Sequence, residues 1–283
     1  MNGRAKIALA MLIWGSVGIF ARFSGLSGLG VAFTRVALGA MVLWLPSLRP
    51  GRIDRLKGTF AENWRALLAL GAALAFNWVF LFTAFNYTTI ANAVLVYYLA
   101  PIIATLISWR FLGESLKRKR VLLIAIAFLG FLLIASGQEF SLESRDFMGI
   151  LFALVAAFFY ALIPNLGRFL REIDGRDLTL LQLTLAALFL LPFVVASGLS
   201  EPTWWAIAVL VLVHTVFALY LYMEGLKEVE VNEAALLSYL DPLSAIVYAL
   251  IIFGEIPGIR TAIGGALILL ASALDAVDKA RGP

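Results

Sequence analysis

The chain has 283 residues, 62% of them hydrophobic and 14% charged, with 22 basic and 18 acidic side chains and a net charge of +4. Soluble domains carry about 45–50% apolar and about 25% charged residues, so this chain lacks the polar skin of a soluble enzyme, and its mean hydropathy of +0.95 agrees. Cysteine is absent and His214 is the single histidine, which excludes disulfides, thiol catalysis and Cys-ligated metals and argues against a His-based metal site. No cofactor is implied. The basic balance fits the cytoplasmic face of a membrane protein rather than a nucleic-acid partner.

A transmembrane helix needs about 20 apolar residues. Apolar segments at 6–23, 28–48, 66–85, 90–112, 121–136, 147–169, 178–199, 204–225, 232–253 and 259–275 predict ten crossings. The first follows Arg4 and Lys6 as a signal peptide would, but no Ala-x-Ala-like site follows it, so it reads as a span. It carries Trp14 and Ser16. Arg35 lies one to two turns inside the second span. There it can grip a substrate carboxylate with a bidentate fork, or serve as a structural charge that pairs with a neighbouring helix or snorkels outward.

The third span carries Asn77, Trp78, Phe82 and Phe85, the last three sharing one helix face. The fourth carries Tyr97, Tyr98 and Pro101. The sixth holds Tyr160, Pro164 and Asn165, and the seventh Gln182. Amides at these depths either glue helices together or bind a substrate. The aromatics either pack or line a cavity that satisfies their polar edges and suits flat ligands. His214 and Glu224 lie in the eighth span, His214 as a core group or a proton carrier and Glu224 at the interface. The ninth holds Tyr239, Asp241 and Pro242. Proline at 101, 164 and 242 is expected to kink its helix. Pro242 also biases Asp241 away from the helical region, leaving its carboxylate to cap a break or to meet an amino group or proton in a cavity.

With the N-terminus inside, 18 of the 22 basic side chains fall on the cytoplasmic side, so both termini are expected there. The chain also repeats. Tyr98-Leu99-Ala100-Pro101 recurs as Tyr239-Leu240-Asp241-Pro242, and Gly113-Glu114 recurs as Gly254-Glu255, both at an offset of 141. The window 93–114 matches its partner at eight of 22 positions. Two repeats, 1–137 with spans one to five and 146–283 with spans six to ten, are therefore expected. Five spans per repeat inverts the second in the membrane, as in many secondary transporters.

Trp14-Gly15-Ser16, Arg35, Pro101 with Gly113-Glu114, Pro242 with Gly254-Glu255, and Gly264-Gly265-Ala266-Leu267-Ile268 stand in an order and spacing that resemble the drug/metabolite transporter superfamily. The resemblance is to its ten-helix branch of two EamA-type repeats and, within it, to YddG-type aromatic amino-acid exporters of bacterial inner membranes. It implies an all-α polytopic protein with a central cavity and alternating access. Export of amino acids, aromatic ones foremost, and similar small metabolites is the leading functional expectation. The alternatives are transport of another solute class (cationic drugs or nucleotide-linked metabolites) and, remotely, an intramembrane enzyme, for which no catalytic motif is present. The expected partners are a small-molecule substrate and the lipid bilayer, with the chain acting as a monomer.

Overall fold

The computed structural model describes residues 1–47, 51–113, 118–137, 141–226, 228–229, 234 and 237–280. Glu114 of the repeated Gly-Glu pair lies outside these residues, as do Arg49, Lys117, Lys227 and Arg281 of the charge count.

The regular structure of the described residues is all helix, without a strand. In chain order the helices are α1 (Gly3–Gly15), α2 (Val17–Phe23), α3 (Gly28–Trp44), α4 (Arg52–Tyr87), α5 (Ile90–Tyr97), α6 (Ala100–Leu112) and α7 (Arg118–Ala135). They continue with α8 (Arg145–Gly167), α9 (Gly175–Ser197), α10 (Trp204–Ala208), a π-helix (Val209–Phe217), α11 (Ala218–Leu226), α12 (Leu240–Phe253) and α13 (Ile259–Ala280). Eight continuous helical stretches are long and apolar enough to cross a bilayer. The two remaining predicted spans correspond to α7, whose first turn holds Arg118, Lys119 and Arg120, and to the shorter apolar α12.

Capping places the boundaries. Asn2, Ser27 and Thr89 accept from the amides of Ala5, Gly30 and Asn92, and Asp174 accepts from those of Arg176 and Asp177. Each satisfies an amide that the first helical turn leaves without a partner. At the other end, α6 and α12 stop at Gly113 (φ 71°) and Gly254 (φ 66°). That left-handed conformation favours glycine, which explains why glycine recurs at the 141-residue offset.

Three expectations change. The segment before the third span is helical rather than a loop. α4 starts at Arg52 and kinks at Asn63 (φ −121°, ψ 16°), and Leu56 is buried among Leu67, Leu70, Leu180 and Leu181. Its basic residues can sit at the interface while its apolar side anchors to α9. Second, neither Pro101 nor Pro242 kinks a continuous helix. Each sits in the first turn of a new helix, just after non-helical turns at 98–99 and 238–239. Proline there needs no amide partner, so Asp241 is helical and lies in the first turn of α12. Third, α8 runs through Pro164 and ends at Gly167, followed by a 3-10 turn over 168–170.

One close helix crossing joins α7 to α13. A Cβ on Gly130 would stand 2.5 Å from the Gly264 carbonyl oxygen, and one on Gly264 would stand 2.5 Å from that of Gly130. Small residues let membrane helices approach to backbone contact. At the face carrying Lys6 and α13's end, ion pairs tie the halves together. Lys6 pairs with Glu228, Asp177 with Arg52 (2.7 Å) and Arg55 (3.2 Å), and Lys119 with Asp278 (2.7 Å). At the opposite face Arg22 pairs with Glu255 and donates to the carbonyls of Phe85 (2.7 Å) and Thr88 (2.8 Å), while Glu255 accepts from the Ile90 amide (2.8 Å).

Candidate functional site

Between those two faces, buried polar groups from both halves meet. The break between α1 and α2 exposes Ser16, whose Oγ lies 2.9 Å from Nε2 of His214 and 2.8 Å from the Ile13 carbonyl oxygen. The other imidazole nitrogen, Nδ1, is 3.1 Å from the carbonyl oxygen of Val209. A carbonyl only accepts, so Nδ1 carries a proton. In the neutral ring Nε2 is then an acceptor, and the single Ser16 hydroxyl proton is divided between it and the Ile13 carbonyl. Trp14 closes the same junction by donating its indole N–H to the His214 carbonyl at 2.7 Å. Thus Trp14, Ser16 and His214, nearly 200 residues apart in sequence, form one interhelical knot.

The next residue of the π-helix is Thr215. Its hydroxyl bonds to the Leu210 carbonyl at 2.9 Å and receives Nε of Arg35 at 2.8 Å. Arg35 is 8% exposed. Its guanidinium carbon lies 4.1 Å above the Trp78 ring and 5.8 Å from that of Phe82. Stacking uses the cation's face and leaves its planar N–H edge free for polar partners. Nη1 and Nη2 have no hydrogen bond, and Arg35 no ion pair, to any described residue.

Trp78 itself meets Phe82 at 6.2 Å, and the tyrosines form two further pairs. Tyr97 stacks on Tyr160 with centroids 5.1 Å apart and planes 24° apart. Tyr98 meets Tyr239 at 6.0 Å. Tyr160 is 44% exposed although it lies mid-span, and its hydroxyl, like that of Tyr239, has no hydrogen bond to any described residue. The Tyr98 hydroxyl is 3.1 Å from both Oδ2 of Asp241 and the Ser238 carbonyl oxygen. Asp241 is half-buried and has no cationic partner among the described residues. Tyr97 bonds to Asn77, the neighbour of the Trp78 on which Arg35 stacks, and precedes Tyr98, the partner of Asp241. Gly15 lets α1 close on this region: a Cβ there would stand 2.8 Å from the Asp241 carbonyl oxygen.

The other predicted residues are placed elsewhere. Asn77, 0% exposed, donates to the Ala156 carbonyl (2.9 Å) and to the Tyr97 hydroxyl (3.1 Å), so it ties α4 to α8 and steadies Tyr97. Asn165 bonds to Ser108 (2.7 Å) and to the Ala161 carbonyl (2.8 Å), stitching α8 to α6. Gln182 is half-buried on α9 with no hydrogen bond to a described residue. Pro101 starts α6 beside the Tyr98 turn. Two surface grooves, about 480 Å3 along Leu38, Met41, Trp44 and Leu212 and about 340 Å3 along Glu62, Trp64 and Phe169, touch none of the predicted site residues. The residues missed from sequence are Thr215, Arg22 and Glu255. For the last two the available signal was the recurrence of Gly-Glu together with a charged residue at a span end.

The profile of the EamA-like transporter family matches residues 2–136 and 147–274. The chain is 31% identical over 279 residues to the uncharacterized transporter YxxF of Bacillus subtilis, covering 97% of this chain and 89% of that one. It is 30% identical over 271 residues to an uncharacterized transporter of Archaeoglobus fulgidus, covering 94% and 93%. The uncharacterized inner membrane transporter YicL of Salmonella typhimurium is 26% identical over 298 residues, covering 99% and 97%. One crystal structure aligns over 99% of both chains with a TM-score of 0.63 at 22% identity, a likeness of fold.

Proposed function

The chain belongs to the EamA-like transporter family, and from that premise we propose that it is a secondary transporter exporting amino acids, aromatic ones foremost, by alternating access. It is a multi-pass membrane protein. We place it in the bacterial inner membrane as a monomer with both termini cytoplasmic, and assign its two repeats to 1–137 and 146–283. The family implies carriage rather than catalysis. The observation that carries the reading is the set of aromatics beside the two membrane charges, Trp78 under Arg35, Tyr98 bonded to Asp241, and the Tyr97–Tyr160 stack that joins the halves. Aromatic faces stack on flat side chains, and isolated charges inside a membrane protein mark substrate paths.

The test is uptake of labelled phenylalanine, tyrosine and tryptophan into proteoliposomes, with and without a pH gradient. Saturable uptake that unlabelled aromatic amino acids suppress supports the reading. Uptake of none of the three refutes the cargo assignment. A second reading, transport of cationic compounds, is favoured by Asp241 lacking a cationic partner. Uptake confined to cationic drugs would select it.

A further inference from the structure

We propose that the open Nη edge of Arg35 is the carboxylate-binding site of a zwitterionic cargo, whose ammonium group is received separately by Asp241. The proposal rests on the transport reading above and specifies its chemistry.

The argument begins with what is missing around a costly group. A guanidinium in a membrane interior is stabilised only by partners that replace water. Arg35 is 8% exposed, yet its partners account for only part of it. Trp78 covers one face at 4.1 Å and Thr215 takes Nε at 2.8 Å. The two Nη groups have no hydrogen-bond partner among the described residues. A guanidinium stacked on a ring and anchored through Nε keeps little rotational freedom. What it presents is a fixed pair of parallel donors, the geometry that a carboxylate matches bidentately.

The second observation is that Asp241, an acid without a cation among the described residues, does not fill the gap. Asp241 has a single side-chain donor, Tyr98, and no cation. Opposite charges in a low-dielectric setting attract strongly, and side chains free to pair would do so. Here they sit on different helices, Arg35 on α3 over Trp78 and Asp241 on α12 beside Tyr98, and the link between them is Tyr97, which bonds to Asn77 next to Trp78 and precedes Tyr98 in the chain. Two opposite charges kept separate and each left with open valence complement a molecule that carries both charges. An amine alone would leave the Arg35 fork unused, and a carboxylate alone would leave Asp241 unused.

Thr215 is the positioning residue. It holds Nε and is itself held by the Leu210 carbonyl five residues back, a spacing that the π-helix supplies. Trp78 fixes the plane and Thr215 the rotation.

The test uses the full chain purified in detergent, with labelled 3-phenylpropionate as a probe carrying the carboxylate and no amine, and labelled phenethylamine as its converse. The wild type should bind both, weakly. Charge-assisted hydrogen bonds of this kind set the expected loss in Arg35→Gln at about tenfold to hundredfold for 3-phenylpropionate, with phenethylamine binding unchanged. Asp241→Asn should do the reverse. Thr215→Val keeps the cation but frees its aim, so it should weaken 3-phenylpropionate several-fold. It serves as the second variant if Arg35→Gln fails to give a monodisperse protein. The proposal is overturned if folded wild type binds no 3-phenylpropionate, if Arg35→Gln retains it within twofold, or if Arg35→Gln and Thr215→Val lose both probes equally. Arg35-dependent binding of 3-phenylpropionate in a protein that takes up no amino acid into proteoliposomes would keep the carboxylate site and discard the amino-acid transport reading.

Discussion

Glu255 joins the two halves at the face opposite the termini, and its charge is the quantity to change. In Glu255→Gln the amide oxygen still accepts from the Ile90 N–H, so one of two contacts survives, while Arg22 loses its counter-charge and keeps the carbonyls of Phe85 and Thr88. The side chains are 21% and 15% exposed, between a surface pair worth about 0.2–1 kcal/mol and a buried pair whose disruption costs about 3–5 kcal/mol. A loss of about 1–2 kcal/mol follows, which is about fivefold to thirtyfold in the equilibrium between closed and open forms of this face. The chain has no cysteine, so a single Thr88→Cys introduces the only thiol. Thr88 is buried, and Arg22 covers its carbonyl. Labelling of Thr88→Cys by a membrane-impermeant maleimide, applied from that face of reconstituted vesicles, should accelerate by that factor when Glu255→Gln is added. Arg22→Gln should accelerate it similarly, and the two changes together should add little. Equal labelling rates with and without Glu255→Gln would refute the assignment of this cluster as a closing contact between the halves.

Gly264→Ala should destabilise the fold by about 1–3 kcal/mol, because its new Cβ meets the Gly130 carbonyl at 2.5 Å; thermal unfolding in detergent measures this, and an unchanged midpoint would contradict the close α7–α13 crossing. Asn77→Ala should cost about 0.6–1.7 kcal/mol by the same measurement, since Ala156 and the Tyr97 hydroxyl lose their amide partner. Asp177→Asn removes the charge that holds both Arg52 and Arg55, and should release the 52–62 helix to faster proteolysis while leaving α9 protected. Trp14→Phe keeps the ring beside Tyr222 but deletes the indole donor to His214, so it should loosen the α1–π-helix junction, read as faster amide exchange at residues 14–18.

The features legible in the sequence are those that local chemistry dictates. Apolar length gave the crossings, and the recurring Gly113 and Gly254 marked two helix ends because a left-handed stop needs glycine. Arg35, Asp241 and the tyrosines stood out because polar groups in hydrocarbon are costly. What could not be read are partnerships across long separations. Nothing near Arg22 announces Glu255, 233 residues on, and nothing near Ser16 announces His214, 198 residues on. The 52–62 helix was hidden by its charges, which average away the signal of Leu56. Pro101 and Pro242 were read as kinks because a sequence shows an unbroken apolar run where the chain turns and starts again. The π-helix left no trace at all, since Val209–Phe217 has the composition of an ordinary span.

That π-helix carries a consequence for how the two halves can separate. A π-turn accommodates an extra residue relative to an α-turn, and such insertions recur at functional sites. His214 and Thr215 both reach the carbonyls five residues behind them, Val209 and Leu210. Converting this run to α-helix would advance the register by one residue and swing everything beyond it by about 100°. His214 would leave Ser16 and Thr215 would leave Arg35 in a single motion, because both bonds depend on the same slack. The same nine residues thus hold Trp14, Ser16 and Arg35 of the first half, so a change in their winding would act on all three bonds together.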